Sequence, residues 1–401
     1  MDRAIRAVQP DAAVRRALDG RDFGPGRLVL VAAGKAAWSM ARAAHDCLGG
    51  RVSGGIVITK HGHAQGPIGD LAIREAGHPG PDDDTFTATR QALDLTGDLT
   101  GEDTVLFLLS GGGSALFEQP LIPAGDLQDL TGQLLSSGAD IVEMNTVRKR
   151  LSAVKGGRFA QHCAPARVFA IILSDIIGDP LDMIASGPAY PDSSTCADAR
   201  RIADKYGLKL TPQARELLDR ETPKALDNVE TLVTGSVREL CLAAAAACRD
   251  RGYEPLILTD SLTCVAREAG SFLAAMARYR QDADRPLALL AGGETVVHLT
   301  GTGRGGRNQE IALAAAEGIA GLEGTAVFSV GSDGTDGPTD AAGGFVTGGT
   351  KAELEAKGVD LFDVLQRNDA YTALGQCGGL IVTGATGTNV NDVAVVLIDR
   401  P

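Results

Sequence analysis

Three glycines bounded by serines directly follow the apolar run Val105–Leu109. Such a short apolar run is typical of a buried parallel strand, and the glycines allow the backbone to turn with its N–H groups exposed and converging. If a helix opens near residue 114, its positive N-terminal end favours a phosphate or carboxylate there. We therefore expect an anion-binding turn, although a tight strand-to-helix connection without a ligand fits the same pattern. The residues of this glycine turn are Ser110, Gly111, Gly112, Gly113 and Ser114.

A lysine occupies a similar place after the first predicted strand. The strand Arg27–Ala33 is followed by Gly34, Lys35 and a predicted helix from residue 36 to about residue 47. In open α/β folds, ligands bind outside the carboxyl ends of the strands. Lys35 is therefore a candidate contact to phosphate, and the alternative is a solvated lysine in the first turn of the helix.

Polar side chains at helical spacing come after the glycine turn. Asn145, Arg148 and Ser152 fall on one face of a predicted helix pair that spans Asp140–Cys163 and is broken at glycines 156 and 157. If that face is turned toward the glycine turn, it presents an amide, a guanidinium and a hydroxyl to an anion.

The same stretch carries a local excess of basic residues in an acidic chain. A solvated helix face is the ordinary interpretation of such a run, and a site for a small polyanion is the other. The residues of this basic run are Arg148, Lys149, Arg150, Lys155 and Arg158.

Two carboxylates follow the predicted buried strand Arg167–Leu173. Asp175 and Asp179 would lie near the carboxyl end of that strand, where carboxylates are well placed to hold Mg²⁺ beside a phosphate. An Asx-type turn is the alternative interpretation.

A histidine pair follows the predicted strand Gly54–Thr59. His61 and His63 are two residues apart, a spacing that suits zinc. Because no cysteine or acidic third ligand completes a set nearby, we expect a polar loop.

The second half of the chain has a different arrangement of predicted strands. Leu287–Ala291 and Glu294–Leu299 are separated only by Gly292 and Gly293, a spacing that predicts an antiparallel hairpin. Glycines of the next loop spell G-x-G-x-x-G before a predicted helix from Asn308. Because the dinucleotide fingerprint belongs to a parallel βαβ unit, a hairpin strand disfavours dinucleotide binding here.

Charged residues in two loops of this half are further candidates. Arg304 and Arg307 lie in the glycine-rich loop, where two guanidinium groups could neutralise a transferring phosphate or a substrate carboxylate. Asp333 belongs to the segment GSDGTDGPTDAAGG after the predicted strand Thr325–Val330. A metal-binding or hydroxyl-binding loop is one interpretation of that segment, and a turn-rich acidic loop is the other.

The length of the chain predicts two domains. A chain of 401 residues, 44% of them apolar, can build two separate cores. Predicted strands and helices alternate, so the expected class is α/β. We place a Rossmann-like domain with a parallel sheet at residues 1–232 and a second α/β domain with a mixed sheet at residues 233–401.

Composition excludes several classes of partner. The net charge is −13, and because binding a nucleic acid duplex needs clustered Lys and Arg, nucleic acid is disfavoured. The seven cysteines, odd in number and without a C-x-x-C pair, predict reduced thiols in a cytoplasmic protein. No apolar signal core or membrane-spanning run is present, so we expect no membrane partner. The sequence neither predicts nor excludes a homo-oligomer, because it contains no coiled-coil heptad that would indicate one.

Seven segments stand in this order along the chain: GKAAWSMA, SGGGSALFEQP, NTVRKRLSAVKGGRFA, LSDIIGDPLDMIASGP, AGGETVVHLTGTGRGGRNQE, SDGTDGPTDAAG and TGATGTNVND. Together they resemble the class II glycerate 2-kinases, whose C-terminal half is the domain called MOFRL. The resemblance covers nearly the whole chain. Three positions depart from the family pattern, because Ala189 and Ser332 stand where threonine is usual and Ala385 stands where proline is usual.

The resemblance implies two α/β domains, the second of MOFRL type, with the active site in the cleft between them. It also implies ATP-dependent phosphorylation of D-glycerate to 2-phosphoglycerate, with Lys35 and Arg307 in the active site. Members of the family are often labelled hydroxypyruvate reductase as well. An NAD(P)H-dependent hydroxypyruvate reductase and a sugar-acid binding module without turnover are therefore the rival functions.

Phosphoryl transfer requires a protein mainly to position two substrates and to neutralise charge. On this basis we assign the glycine turn and Lys35 to phosphate oxygens. Arg307, together with Arg304, is assigned to the γ-phosphoryl group or to the glycerate carboxylate. Asn145 and Arg148 are candidate substrate contacts.

Three carboxylates complete the expected site. Asp175 and Asp179 are the candidate ligands of Mg²⁺. Asp333 is the candidate group that accepts the proton of the glycerate hydroxyl, since a carboxylate within hydrogen-bond reach suffices for that step.

Overall fold

Strands and helices alternate along most of the chain. The structure is a computed structural model that describes residues 1–399. In chain order the strands are β1 (Leu28–Ala33), β2 (Gly54–Lys60), β3 (Ala72–Ala76), β4 (Thr104–Leu109), β5 (Arg167–Ile172), β6 (Val229–Val233), β7 (Glu254–Leu262), β8 (Leu287–Gly293), β9 (Thr325–Gly331), β10 (Gly343–Thr347), β11 (Leu380–Ile381) and β12 (Asp392–Ile398). The helices are α1 (Asp2–Ala7), α2 (Pro10–Leu18), α3 (Ala37–Leu48), α4 (Asp83–Thr96), α5 (Gly113–Leu116), α6 (Ala124–Ser136), α7 (Ile141–Arg150), α8 (Arg158–Cys163), α9 (Cys196–Lys205), α10 (Pro212–Leu218), α11 (Val237–Arg249), α12 (Ala266–Tyr279), α13 (Arg307–Gly318), α14 (Thr350–Ala356), α15 (Leu361–Gln366) and α16 (Ala370–Gln376).

The first sheet is parallel throughout, with the order β3-β2-β1-β4-β5-β6. The interior strands β1 and β4 are buried along their whole length, because α2 and α3 cover one face and α4 and α8 cover the other. The strand order reverses between β1 and β4, which creates a switch point at the carboxyl ends of these two strands. The predicted Rossmann-like parallel sheet is confirmed.

The second sheet is mixed, with the order β11-β10-β9-β12-β8-β7. Only the β7–β8 pair is parallel among its described strands, and the last strand of the chain, β12, lies between β9 and β8. Helices α12 and α13 pack on one face of this sheet, and α1 and α11 pack on the other. The prediction of a second α/β domain with a mixed sheet is confirmed.

The predicted hairpin across Gly292 and Gly293 is wrong. Strand β8 extends through both glycines, and its two neighbours are β7 and β12. Within the segment 294–300, Val296 forms only an isolated parallel bridge with Val265. The hairpin does not form because β12, from the far end of the chain, occupies the position that a hairpin partner would need.

The chain divides into two compact units. The N-terminal unit comprises Ala13–Ser174 and Asp179–Thr234, and the C-terminal unit comprises Met1–Ala12, Asp175–Gly178 and the chain from Gly235 onward. The first twelve residues belong to the C-terminal unit, whereas the predicted boundary at residue 232 places them in the first domain. They join the C-terminal unit because the apolar side chains of α1 pack against α11.

Two further findings concern membranes and thiols. Among residues 1–399, no helix combines the length and the apolar character that crossing a bilayer requires. The seven cysteines are all free thiols, as the sequence predicts.

Candidate active site

The glycine turn and Lys35 lie side by side at the switch point of the parallel sheet. Lys35 N donates to Gly111 O over 2.9 Å. Ala36 N donates to Ser110 Oγ over 3.0 Å, and Ser110 N donates to Ala33 O over 3.1 Å. The loops after β1 and β4 are therefore joined by hydrogen bonds into one structure, which holds the backbone of Lys35 against the turn.

The turn presents backbone donors. Gly112 has a φ of +85°, a left-handed conformation that glycine adopts without strain, and α5 begins at the next residue. Within residues 1–399 the N–H groups of Gly111 and Gly112 have no hydrogen-bond acceptor. Backbone N–H groups arranged in this way are suited to bind an anion.

His78 flanks the same turn. A Cβ atom placed on Gly112 would lie 3.1 Å from Lys35 Cγ and 3.1 Å from His78 Cδ2, so both side chains stand against this glycine. His78 follows β3, whose carboxyl end lies at the same edge of the sheet. Sequence reasoning gave His78 no role because it did not recognise β3, and the signal that could have found it is its place just after that strand.

A chain of hydroxyl groups links the turn to α7. Ser186 Oγ donates to Asn145 Oδ1 over 3.0 Å and lies 3.0 Å from Ser114 Oγ, so the hydroxyl of Ser114 is the donor to Ser186. Arg148 Nη2 donates to Ser114 O over 3.4 Å. From α7, Arg148 thus contacts the turn directly and Asn145 contacts it through Ser186. Ser152 lies beyond the end of α7 and is not on its face.

Two members of the basic run, Lys149 and Arg150, do not belong to a solvated helix face. Lys149 and Arg150 are buried, with Lys149 Nζ 3.1 Å from Asp192 Oδ1 and Arg150 Nη2 donating to Ser194 O over 2.9 Å. Asp192 also accepts a hydrogen bond of 2.7 Å from Thr222. Both side chains therefore belong to a buried polar network whose partners Asp192 and Ser194 lie more than forty residues later in the chain.

Lys155 is the member of that run closest to the glycine turn. Its ammonium group donates to Ser114 O at 2.8 Å and Phe117 O at 3.0 Å, and it lies 3.1 Å from Glu118 Oε2. Burial lowers the pKa of Lys155 to about 8, while the charge of Glu118 opposes that change. This lysine therefore fixes one carbonyl group of α5, the short helix that continues the turn, and the carbonyl group of the residue that follows the helix.

Arg307 is the centre of an ionic cluster in the C-terminal unit. Its Nε and Nη2 atoms donate to the two oxygens of Asp392 over 2.5 and 3.2 Å, and Nη1 donates to Glu294 Oε1 over 2.6 Å. Burial lowers the pKa of Arg307, but hydrogen bonding to Asp392 and the charges of both carboxylates outweigh burial and raise it. The guanidinium is therefore charged and held in a fixed orientation.

The first turn of α13 is closed by a carboxylate of the chain itself. Asn308 N donates to Asp336 Oδ1 over 3.1 Å, and Gln309 N donates to Oδ2 over 2.9 Å. Burial raises the pKa of Asp336, and these two hydrogen bonds oppose the rise. A pyrophosphate cannot use amides that are already occupied. The G-x-G-x-x-G loop is thus disfavoured as a dinucleotide site for this reason, rather than because of a hairpin.

Arg304 and Asp333 lie in the loops around Arg307. Arg304 is exposed, and its guanidinium carbon stands 4.7 Å from the ring centroid of Tyr371. Asp333 is half-buried, and its Oδ1 accepts a hydrogen bond of 3.0 Å from Thr335 N, which is an Asx-type turn.

A cavity of about 530 Å³ lies within the C-terminal unit. Its lining includes Arg307 and Asp333, the backbone of the glycine-rich loop, and the apolar side chains of Val297 and Leu299. Sequence reasoning missed this cavity because the segment that carries the two apolar residues was predicted to be a strand.

Two family models match the chain. The description "Domain of unknown function (DUF4147)" covers residues 1–219, and the MOFRL family covers residues 287–392. The D-glycerate 2-kinase of Thermotoga maritima is 52% identical over 402 residues, covering 99% of this chain and 96% of the relative. The glycerate 2-kinase of Pyrococcus horikoshii is 40% identical and covers 98% of this chain and 95% of the relative. The chain belongs to the glycerate 2-kinase family.

A solved structure agrees with this assignment. The crystal structure of the Thermotoga maritima glycerate kinase has a TM-score of 0.94 with this chain and covers 99% of it, while this chain covers 97% of that structure. The fold described above is therefore similar to that of this glycerate kinase over nearly the whole chain.

In this member of the glycerate 2-kinase family, the two predicted metal ligands belong to different units. Asp175 is grouped with the C-terminal unit and Asp179 with the N-terminal unit. Asp179 has a φ of +49°, and its buried Oδ1 has no hydrogen-bond partner among the described residues. A buried carboxylate oxygen without a donor fits a hard cation such as Mg²⁺.

The histidine loop has acidic neighbours that the sequence did not indicate. His61 Nε2 lies 2.9 Å from Asp82 Oδ2 and 3.9 Å from Asp84 Oδ2, so the expectation of no acidic partner is wrong. The acids come from the start of α4, where Asp82 is the N-cap residue and accepts a hydrogen bond from Thr85 N. Since Asp82 is already used as a cap, this group is an ion pair at a helix start.

Proposed function

We propose that this protein transfers the γ-phosphoryl group of ATP to the 2-hydroxyl group of D-glycerate. The structural observation that carries the proposal is the contact of Lys35 with the glycine turn, whose N–H groups are open at the switch point of a parallel sheet. The names of the two relatives that match nearly the whole chain support the same reaction.

The N-terminal unit supplies a site for phosphate oxygens. The N–H groups of Gly111 and Gly112 donate hydrogen bonds to these oxygens. The ammonium group of Lys35 neutralises the negative charge that shifts among them in the transition state. The hydroxyl of Ser114 is oriented by Ser186 and Asn145. Lys155 and Arg148 act through the carbonyl groups of α5 and keep the turn in place.

The C-terminal unit supplies a guanidinium and a carboxylate. Arg307, fixed by Asp392 and Glu294, binds the γ-phosphoryl group or the carboxylate of glycerate, and Arg304 adds a second positive charge. Asp333 accepts the proton of the glycerate hydroxyl, because its carboxylate is half-buried and holds a fixed orientation in its turn.

The proposal includes Mg²⁺ because the candidate ligands are carboxylate oxygens, which suit this hard cation. Asp179, whose Oδ1 lacks a hydrogen-bond donor in the described chain, and Asp175 are the residues that would hold it. When bound, Mg²⁺ would neutralise charge on the phosphate oxygens.

A coupled assay tests the proposed reaction. ADP release is measured with Mg²⁺ and ATP over D-glycerate, L-glycerate and other small hydroxy acids. The product is then given to enolase without phosphoglycerate mutase, because only 2-phosphoglycerate is dehydrated directly. ADP release with D-glycerate and immediate enolase turnover are expected, and ADP release without enolase turnover would place the phosphate on another hydroxyl.

The rival functions give different results in the same experiment. A reductase would consume NADH with hydroxypyruvate, and a binding module would bind glycerate without releasing ADP. We expect neither, and either outcome in place of ADP release would refute the kinase proposal.

A further inference from the structure

The imidazole ring of His78 lies beside the open N–H groups of the glycine turn. A Cβ atom placed on Gly112 would stand 3.2 Å from His78 Nε2. Adding the Cα–Cβ and N–Cα bonds of Gly112 places Nε2 within about 6 Å of the amide nitrogen of that glycine. Two hydrogen bonds of about 3 Å each span such a distance. One phosphate group can therefore accept a hydrogen bond from the backbone of Gly112 and another from the ring of His78.

The loop that carries His78 is held by the start of α4. Asp82, the N-cap residue of that helix, accepts a hydrogen bond from the backbone of Gly77, the residue before His78. A Cβ atom on Gly77 would lie 2.7 Å from Asp82 Cγ, so the two residues are in close contact. One residue earlier, Ala76 O accepts a hydrogen bond of 3.2 Å from His61 N. The backbone at His78 is therefore fixed by its own loop, as a preorganised donor requires.

The two histidines that follow β2 have different surroundings. His61 Nε2 lies 2.9 Å from Asp82 Oδ2 and belongs to the ion pair at the start of α4. His63 is exposed. The three atoms nearest to a Cβ position on Gly112 belong to His78 and to Lys35, the lysine already assigned to phosphate. His78 is therefore the histidine placed to act at the glycine turn.

We infer that His78 is a further catalytic residue, whose Nε2–H group donates a hydrogen bond to the phosphoryl oxygens bound at the glycine turn. Nε2 can carry a donor proton whether the ring is neutral or charged, so the ring takes up and releases no proton in this step. Negative charge shifts among these oxygens during phosphoryl transfer, and a fixed donor stabilises that charge. The inference rests on the proposed kinase function and adds an imidazole donor to its backbone and lysine donors.

Chemical modification of the full wild-type chain tests the contact without turnover. The reagent is diethyl pyrocarbonate, which modifies accessible imidazole nitrogens, and modified histidines are identified by mass spectrometry. The added probe is AMP-PNP with Mg²⁺, because its γ-phosphoryl group is not transferred. We expect AMP-PNP to suppress modification of the half-buried His78 and to leave that of the exposed His63 unchanged. Equal modification of His78 with and without AMP-PNP would overturn the inference.

Two substitutions separate hydrogen bonding from packing. His78→Phe keeps an aromatic ring but removes the donor, and it should lower kcat about a hundredfold, the effect of losing one donor to developing charge. His78→Gln keeps an amide N–H near the place of Nε2 and should recover most of the rate. The matched control His63→Phe should turn over at the wild-type rate. A wild-type kcat for His78→Phe, or equal losses in the Phe and Gln variants, would overturn the inference.

The two proposals fail in different ways. A wild-type protein that releases ADP with glycerate, while His78→Phe keeps the same kcat, refutes only the role of His78. A wild-type protein that transfers no phosphoryl group refutes the kinase function, and protection of His78 by AMP-PNP would still show that phosphate binds beside this ring.

Discussion

Arg307 and Asp392 form a two-point ion pair, with Nε 2.5 Å from Oδ2 and Nη2 3.2 Å from Oδ1. Asp392 is the first residue of β12, and Arg307 is the first residue of α13. The pair therefore fixes the start of a helix to the start of the strand that occupies the middle of the mixed sheet. The guanidinium is therefore oriented by a residue of the sheet and not by a residue of a loop.

This pair should make stability depend on pH in an unusual direction. Burial raises the pKa of Asp392 to about 6, although the hydrogen bond from Arg307 opposes the rise. Between about pH 4 and 6 the folded protein therefore binds more protons at this residue than the unfolded chain, whose aspartate pKa is about 3.9. The contribution of Asp392 to the free energy of unfolding should fall as the pH rises through that interval.

Urea unfolding of the wild type and Asp392→Asn across this pH interval measures the effect. The variant cannot titrate at residue 392, so the wild-type midpoint should fall relative to the variant midpoint as the pH rises from 4 to 6. A wild-type midpoint that rises relative to that of the variant over this interval would show that Arg307 lowers the pKa of Asp392 more than burial raises it.

Removal of the cations assigned to phosphate should abolish most turnover. Lys35→Ala and Arg307→Ala are each expected to lower kcat at least a hundredfold, about the effect of losing one strong transition-state contact. Arg307→Lys should not restore the rate, because an ammonium group cannot form the two-point contact with Asp392.

The matched control for these variants is Lys209→Ala, which removes an exposed lysine from the loop after α9. Its turnover should equal that of the wild type in the ADP-release assay. Wild-type rates for both Lys35→Ala and Arg307→Ala would remove these two residues from the active site.

The interior of the parallel sheet could be predicted from the sequence, whereas its edge could not. Strands β1 and β4 are buried on both faces and are therefore continuous apolar runs. The edge strand β3, AIREA, carries the exposed Arg74 and the half-buried Glu75 and therefore contains no such run. The local spacing predicts the wrong partner for β8, because its actual partner β12 is distant in sequence and no local spacing reveals a distant partner.

The arrangement of the candidate site was predictable only where it follows strand order. Lys35 and the glycine turn follow neighbouring strands, so their proximity could be inferred from the fold class. The burial of Lys149 could not, because its partner Asp192 lies 43 residues later. Likewise, Asp336 lies 28 residues after Asn308, and nothing local to α13 indicates that a carboxylate closes its first turn.

Removing one partner of the buried pair Lys155 and Glu118 should lower the free energy of unfolding more than removing both. Lys155→Met leaves the carboxylate of Glu118 buried without its cation, which should lower the free energy of unfolding by about 3–5 kcal/mol. The double variant Lys155→Met with Glu118→Leu removes both charges and should recover part of the loss. Urea unfolding of the three proteins measures this, and a double variant no more stable than the single one would contradict a role for charge.

Crowding at the glycine turn can be separated from backbone strain with two alanine substitutions. Gly112 and Gly138 have similar φ angles, +85° and +76°, so either substitution should cost about 1–2 kcal/mol of stability. A Cβ at Gly138 meets no atom within 4 Å, whereas at Gly112 it would lie 3.1 Å from both Lys35 Cγ and His78 Cδ2. Gly112→Ala should therefore displace Lys35 and lower kcat about tenfold, an effect of misplacement at a reacting centre, while Gly138→Ala keeps the wild-type rate. Thermal unfolding and the ADP-release assay measure the two effects, and an equal loss of rate in both variants would show that strain, and not contact with Lys35, is responsible.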